Sequence, residues 1–277
     1  MCYDISFATS IRAISDYFPT LVVDPQLNVD FTQDHIQGTA VFPEHPILFV
    51  DKDAQLQLRL MKWGAVEFWT KQVPDYKTKD FKALQKLNWK LNARSERIWD
   101  DPKSYWFKIK DNRCLIPVTG IFEHRGITTW KNKLPYHVGL QGQPIFFLPG
   151  LYSVYQVVDK DTGEVAFYYT FTLITTGANE TMCMIHNSGD NPFRMPLFLP
   201  LEIAKEFISP GLTEQRYREI IRYKIPADQL AYHTTFTIRS SKPHPLGLRK
   251  HERYDWPENP PPPLGTMNPP VKEQAGD

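Results

Sequence analysis

The residues with the most chemical potential are the first two, Met1-Cys2. Removal of Met1, which the small Cys2 side chain favours, would leave a cysteine carrying a free α-amine beside its thiol. The α-amine has a reference pKa of ~7.7–8.0 against ~10.4 for lysine, so roughly a tenth of it is unprotonated at pH 7. Such an amine can condense with an aldehyde to an imine, and the thiol, reference pKa ~8.5, can close onto that imine as a five-membered thiazolidine. A cysteine near a terminus also has an ordinary reading as a small buried hydrophobe.

Four further polar residues sit at the ends of apolar segments: Asn92 before a charged turn with Arg94 and Glu96, Glu123 after Ile121-Phe122, His186 closing a short Met- and Ile-rich segment, and Arg194 before an apolar run. Each has a structural explanation of its own. Glutamate after an apolar pair is often an edge charge, histidine at a helix C-terminus is favoured by the macrodipole, and asparagine before a turn satisfies backbone groups.

The elements that must position them are mostly strands. Leu56, Leu58 and Leu60 alternate, as in a half-buried strand, until Trp63-Gly64 breaks the pattern. Residues 5–18 predict a strand and a helix capped by Thr9 or Ser10, and residues 78–88 a helix. Residues 113–125 predict two strands joined at Thr119-Gly120, followed by a hairpin turning at Lys131-Asn132-Lys133. Residues 144–158 and 164–176 flank a hairpin turn at 159–163. A short helix opens at Ala178-Asn179, RMPLFLP (194–200) is a strand, 201–209 and 213–223 are amphipathic helices, and LAYHTTFTI is the last strand. The expected fold is α+β: mixed, mostly antiparallel strands in a barrel-like or sandwich core with short flanking helices. Regular strand–helix alternation, which a doubly wound parallel sheet requires, is missing. Residues 1–240 read as one domain; 241–277, rich in proline and charge, read as an extended tail, partly disordered or laid across the surface.

Composition excludes more than it selects. The chain has 277 residues, 42% of them hydrophobic and 13% aromatic, enough for a substantial core. No apolar run reaches about eighteen residues and no secretory signal pattern is visible, so a cytoplasmic protein is expected. Three scattered cysteines, Cys2, Cys114 and Cys183, make neither a disulfide framework nor a zinc site. No metal-ligand spacing, phosphate loop or dinucleotide fingerprint is present, and no cofactor is expected. With a net charge of +1, any polyanion must meet locally concentrated positive charge.

The chain resembles the SOS-response-associated peptidase (SRAP) family, the abasic-site processing proteins. The resemblance rests on an ordered set over roughly residues 1–240: Met1-Cys2, Trp63-Gly64, Asn92-Ala93-Arg94 with Glu96, Arg113–Pro117 running to Gly120 and Phe122-Glu123, Phe171–Thr176 with Ala178-Asn179, Ile185-His186, and Arg194-Met195-Pro196. It implies covalent capture of abasic sites in single-stranded DNA by Cys2 after Met1 removal, with Asn92, Glu123 and His186 completing the site. Arg94, Thr175 and Arg194 match positions near the DNA strand, and Trp63 or Trp69 the aromatic edge of its groove. On this reading His186 assists sugar ring opening, Glu123 moves the amine proton and Asn92 holds the terminus or the sugar. A monomer without membrane attachment is expected, with lyase and peptidase chemistry as accompanying expectations.

This sequence departs from the family pattern in three places. Tyr3-Asp4 stand where glycine and then arginine are usual, and a carboxylate at Asp4 would repel a phosphate. His124 stands where tryptophan is usual. Ser188–Phe193 looks like an added loop that would reshape one side of the groove. Two other functions compete: a cysteine peptidase or autoprocessing hydrolase, in which Cys2 attacks an amide and His186 is its base, and a non-catalytic single-strand DNA-binding module.

Overall fold

The computed structural model describes residues 2–28, 30–39, 43–67, 90–158, 162–241 and 243–265. In chain order its strands are β1 (Asp4–Phe7), β2 (Val22–Val23), β3 (Gln33–Gln37), β4 (Glu44–Val50), β5 (Leu56–Trp63), β6 (Asn92–Arg94), β7 (Arg113–Val118), β8 (Gly120–Arg125), β9 (Leu134–Leu140), β10 (Phe146–Val158), β11 (Val165–Gly177), β12 (Arg194–Pro196) and β13 (Leu230–Thr234). The helices are α1 (Glu96–Trp99), α2 (Tyr105–Lys108), α3 (Glu180–Ile185), α4 (Leu201–Ile208) and α5 (Glu214–Ile221).

Strands β11, β10, β7, β4 and β5 pair antiparallel in that order. Parallel pairing of β5 with β11, at Lys62 with Thr170 and Trp63 with Phe171, closes them into a five-stranded barrel. Gly64 ends β5 at φ +127°, a backbone conformation that side chains disfavour. Strands β6 and β12 both pair along the end of β11, so that one strand end gathers Asn92, Arg94, Thr175 and Arg194. A second, wholly antiparallel sheet runs β13-β9-β8-β1-β3.

Side-chain alternation along these strands sorts the core into two layers. Ile47, Phe49, Cys114, Ile116 and Leu148 pack with Ile5, Ile121 and Val138 of the second sheet. Their neighbours Leu48, Leu115 and Phe147 face the other way, against Phe207 of α4 and Tyr217 and Ile220 of α5. The fold is thus mixed and mostly antiparallel, and of the two expected cores the barrel is the one observed.

Several local expectations change. The helix expected within 5–18 is one 3₁₀ turn, Ile11–Ile14, with the Ser10 side chain capping Arg12 N; that single turn already buries both isoleucines. Strands β7 and β8, consecutive in sequence, belong to different sheets, and Thr119-Gly120 is the corner between them. A Cβ on Gly120 would lie 2.0 Å from His137 Nε2, so only glycine fits there. Of residues 194–200 only Arg194–Pro196 form a strand. The helix expected over 78–88 and Trp69 lie outside the described residues.

The tail segment 243–265 runs across the second sheet with defined contacts. Trp256 donates from Nε1 to the Thr235 carbonyl at 3.1 Å and packs on Trp130, and Leu264 packs on the core. Arg125, 1% exposed, donates to the carbonyls of Pro262 and Pro263 at 2.7 and 3.2 Å.

Candidate active site

The chain enters the second sheet along β1, whose Asp4 lies opposite Phe122 of β8. This antiparallel register carries Cys2 and Tyr3 past the strand end alongside Glu123. Cys2 is 0% exposed, and its thiol contacts the Asp4 carbonyl at 3.5 Å. Asn92, delivered by β6, donates from Nδ2 to the Cys2 carbonyl at 2.9 Å, fixing the terminal segment. Asn92 Oδ1 is buried with no hydrogen-bond partner among the described residues.

Glu123 is 4% exposed, on a strand enclosed by β1 and β9. Desolvation raises its pKa to about 8. Its Oε2 stands 3.8 Å from His186 Nε2, while Oε1 is buried with no hydrogen-bond partner among the described residues. His186 caps α3, whose start is fixed by Asn179 accepting from Met182 N. His186 Nδ1 bonds the Arg194 carbonyl at 2.7 Å. A carbonyl can only accept, so Nδ1 carries the hydrogen and Nε2 presents a lone pair toward Glu123. Burial lowers the His186 pKa to about 4. With Met1 in place, burial thus favours a carboxylic acid beside a neutral imidazole. The sequence reading rested on the unperturbed histidine pKa, with His186 assisting ring opening and Glu123 moving the amine proton; burial shifts both groups from their ordinary values.

Burial likewise lowers His124 to about 4, so it adds no positive charge near pH 7. Burial and the neighbouring Glu123 push the Cys2 thiol well above its ordinary value.

Glu123, His124 and His186 line a cleft of about 340 Å³ with Lys133, Arg239 and Tyr3, while Cys2 itself is fully enclosed. Tyr3 also lines an adjoining depression of about 510 Å³ bordered by Asn92, Arg94 and Arg97. Together they form a path from the arginines of β6 and α1 to the acid–imidazole pair. The Ser188–Phe193 loop forms one wall. It is stitched down by Phe193 N donating to the His186 carbonyl and Ala178 N to the Phe193 carbonyl, at 2.8 and 2.9 Å.

The remaining sequence-selected residues divide. Arg94 is exposed on the path and held by Asn191 Oδ1 at 2.6 Å. Arg194 is already engaged: its guanidinium forms a fork with Glu96 at 2.6 and 3.0 Å and donates to the Thr175 carbonyl at 2.9 Å. Two expectations need correction. Trp63 is 0% exposed, stacked on Phe171 with its Nε1 donating to the Leu91 carbonyl, so it has no face free for a base. Thr175 is also fully buried and bonds the Ala93 carbonyl; it buttresses the site from below.

The expected repulsion at Asp4 is corrected as well. Asp4 is 2% exposed, and its oxygens accept from His35 Nε2 and from Nε and Nη2 of Arg239. Burial alone would raise its pKa, but these hydrogen bonds prevail and lower it. The carboxylate is paired in place, and Arg239 lines the cleft beside it. Sequence reasoning missed Tyr3, His35, Lys133 and Arg239. The one available signal was Asp4 itself, since a carboxylate on an apolar strand demands a cation somewhere in the fold.

A barrel and a second sheet converging on a cysteine at the chain's start, backed by an acid, an imidazole and a carboxamide, agree with what the sequence comparison shows: the chain belongs to the SOS response associated peptidase (SRAP) family, whose family model matches residues 1–237. Similar proteins include the abasic site processing proteins YoqW and YoaM of Bacillus subtilis (strain 168). YoqW is 29% identical over 205 residues, covering 73% of this chain and 80% of YoqW. YoaM is 27% identical over 244 residues, covering 87% and 91%. A crystal structure of a protein from Bacteroides thetaiotaomicron superposes with a TM-score of 0.66 at 25% identity, covering 84% of this chain and 92% of that one.

Proposed function

We propose that this protein processes abasic sites in single-stranded DNA by capturing them covalently at Cys2, once Met1 has been removed. The observation that carries the reading is the neutral Glu123–His186 pair, 3.8 Å apart beside a cysteine whose carbonyl is held by Asn92.

The steps use this pair without a net change of charge. Opening of the deoxyribose ring exposes the C1′ aldehyde. The α-amine of Cys2 adds to that carbonyl and one of its protons passes to the new oxygen, giving a carbinolamine. His186 Nε2 takes the remaining nitrogen proton while protonated Glu123 gives its own to the departing hydroxyl, so water leaves and the imine forms. The thiol then adds to the imine carbon, and its proton passes to nitrogen, closing the thiazolidine. Aldehyde and cysteine thus combine with loss of one water. A thiol held protonated suits this order, because it is called on only after the imine exists.

The same two shifts weigh against a cysteine peptidase, which needs a thiolate beside an imidazolium. Here the thiol is pushed up and the imidazole down. Neutralisation of Asp4 removes the motive for the non-catalytic alternative.

Mixing the mature chain with an oligonucleotide carrying one abasic site should give a heat-stable adduct on denaturing gels and by intact mass. Cys2→Ala should abolish it, while Cys114→Ala and Cys183→Ala should not. Equal adduct yield from all three variants would sink the reading.

A further inference from the structure

The Asp4–Arg239 pair joins residues 235 positions apart in sequence and sits at the edge of the cleft. Its two members are placed very differently. Asp4 is 2% exposed, whereas the Arg239 side chain is 42% exposed and lines the cleft with Tyr3, Glu123 and Lys133. Arg239 spends Nε and Nη2 on the carboxylate; Nη1 has no partner among the described residues. A guanidinium clamped along one edge has lost its rotamer freedom before any ligand arrives, so less ordering is left for binding to cost. Its counter-charge, Asp4, lines the same cleft but is 2% exposed and already paired with Arg239 and His35. His35 holds the other side of Asp4 Oδ1 at 2.8 Å, so the clamp cannot swing aside.

Besides paired Asp4, the cleft carries an opposing charge in Asp190, exposed on the Ser188–Phe193 loop. Lys133 offsets it on the same wall. What remains in the cleft beside the acid–imidazole pair is a fixed cation with spare donors, a site shaped for a phosphate oxygen.

We propose that Arg239, clamped by buried Asp4, is a phosphate-binding group that grips the backbone phosphodiester adjoining the abasic sugar. The proposal rests on the reading of the cleft as an abasic-DNA site. It also accounts for Asp4: the carboxylate at that position serves as the socket for an arginine contributed from the far end of the domain.

The test compares a natural abasic strand with strands in which the linkage on the 5′ or the 3′ side of the lesion is a neutral methylphosphonate, using the parent chain and Arg239→Gln. One neutral linkage should weaken binding to the parent roughly tenfold and reduce the slope of log affinity against log salt by about 0.7, the value for one phosphate on a single strand. Arg239→Gln should bind the natural strand that much more weakly and no longer distinguish the two. If the parent binds both neutral strands as tightly as the natural one, or if Arg239→Gln still discriminates, the proposal is wrong. Should Arg239→Gln fail to fold, the parent's response to each neutral linkage still decides the matter, as does Arg239→Lys, which keeps the counter-charge but not the fork. Absence of any adduct between the parent and the natural strand would overturn the capture reading instead, and is scored separately from the binding data.

Discussion

Glu123 and His186 face each other across 3.8 Å with the proton on the carboxyl rather than on the ring. Adduct formation should therefore depend on pH in a particular way. The attacking amine must be unprotonated, with a reference pKa of ~7.7–8.0, while Glu123, at about 8, must keep its proton. Single-turnover rates should pass through a narrow maximum near pH ~8 and fall on either side. Glu123→Gln should lower the maximum by roughly 10²–10⁴-fold and convert the alkaline fall into a plateau.

The same carboxyl is a liability for stability. The folded pKa of Glu123, about 8, lies above the ~4.3 of an unfolded glutamate. Between those values the native state binds more protons than the unfolded one. Stability from this group thus falls as pH rises from ~4.3 to ~8 and then levels off. Glu123→Gln should melt higher than the parent at pH 8.5 and close to it at pH 4, as seen by calorimetry. A uniform drop at all pH values would contradict the burial argument. His186 acts in the opposite sense below it: with a folded pKa of about 4 against ~6.5 unfolded, stability from that group is gained as pH rises through this interval and is lost toward acid.

Asn92 touches the chain's start by one hydrogen bond to the Cys2 carbonyl. Asn92→Ala should let that segment shift, and a displacement of about 1 Å at a reacting centre can cost ~10²-fold in rate. Strand affinity, measured with an intact oligonucleotide that cannot react, should change little. Equal losses in rate and affinity would instead make Asn92 a strand contact.

Arg94 and Arg194 looked alike in sequence and should separate in experiment. Arg94→Ala should weaken single-strand binding and lower the salt slope by about 0.7, because its guanidinium is exposed on the path beside Asn92. Arg194→Ala removes the fork to Glu96 and the donor to the Thr175 carbonyl. Its main effect should be a fall of about 1–2 kcal/mol in stability, discounted because Glu96 is half exposed.

Deleting residues 241–277 should cost stability more than composition suggests. Arg125 would lose the Pro262 and Pro263 carbonyls, and Trp130 and the core their contacts with Trp256 and Leu264. A lower melting temperature, or insolubility, is the expected outcome.

How much of this was legible in the sequence depended on distance along the chain. Period-two alternation located β5, and Trp63-Gly64 marked its end, because strand pattern and backbone conformation are local properties. Glu123 and His186 stood out for the same reason, as polar groups ending apolar segments. Their protonation states did not, since these come from the β1–β8–β9 enclosure and the His186–Arg194 contact. The barrel's closure through β5 and β11 has no local signature, and neither does the placing of β7 and β8 in different sheets. Trp63 reads from its own surroundings as a core or rim aromatic, and it is core, stacked on Phe171; only the family resemblance set it at the edge of a groove. Asp4 was noticed as an anomaly, but its partner lies 235 residues away.

The sealed position of Cys2 carries a further implication for redox chemistry. Peroxide and disulfide reagents attack the thiolate and need access to sulfur; with Met1 in place this sulfur is enclosed and its thiol is pushed above its ordinary pKa. Under the proposed capture reaction the protein is consumed in one turnover and cannot replace an oxidised nucleophile. Enclosure would keep that one sulfur reduced through oxidative stress, the condition that also damages DNA bases, until a strand reaches it.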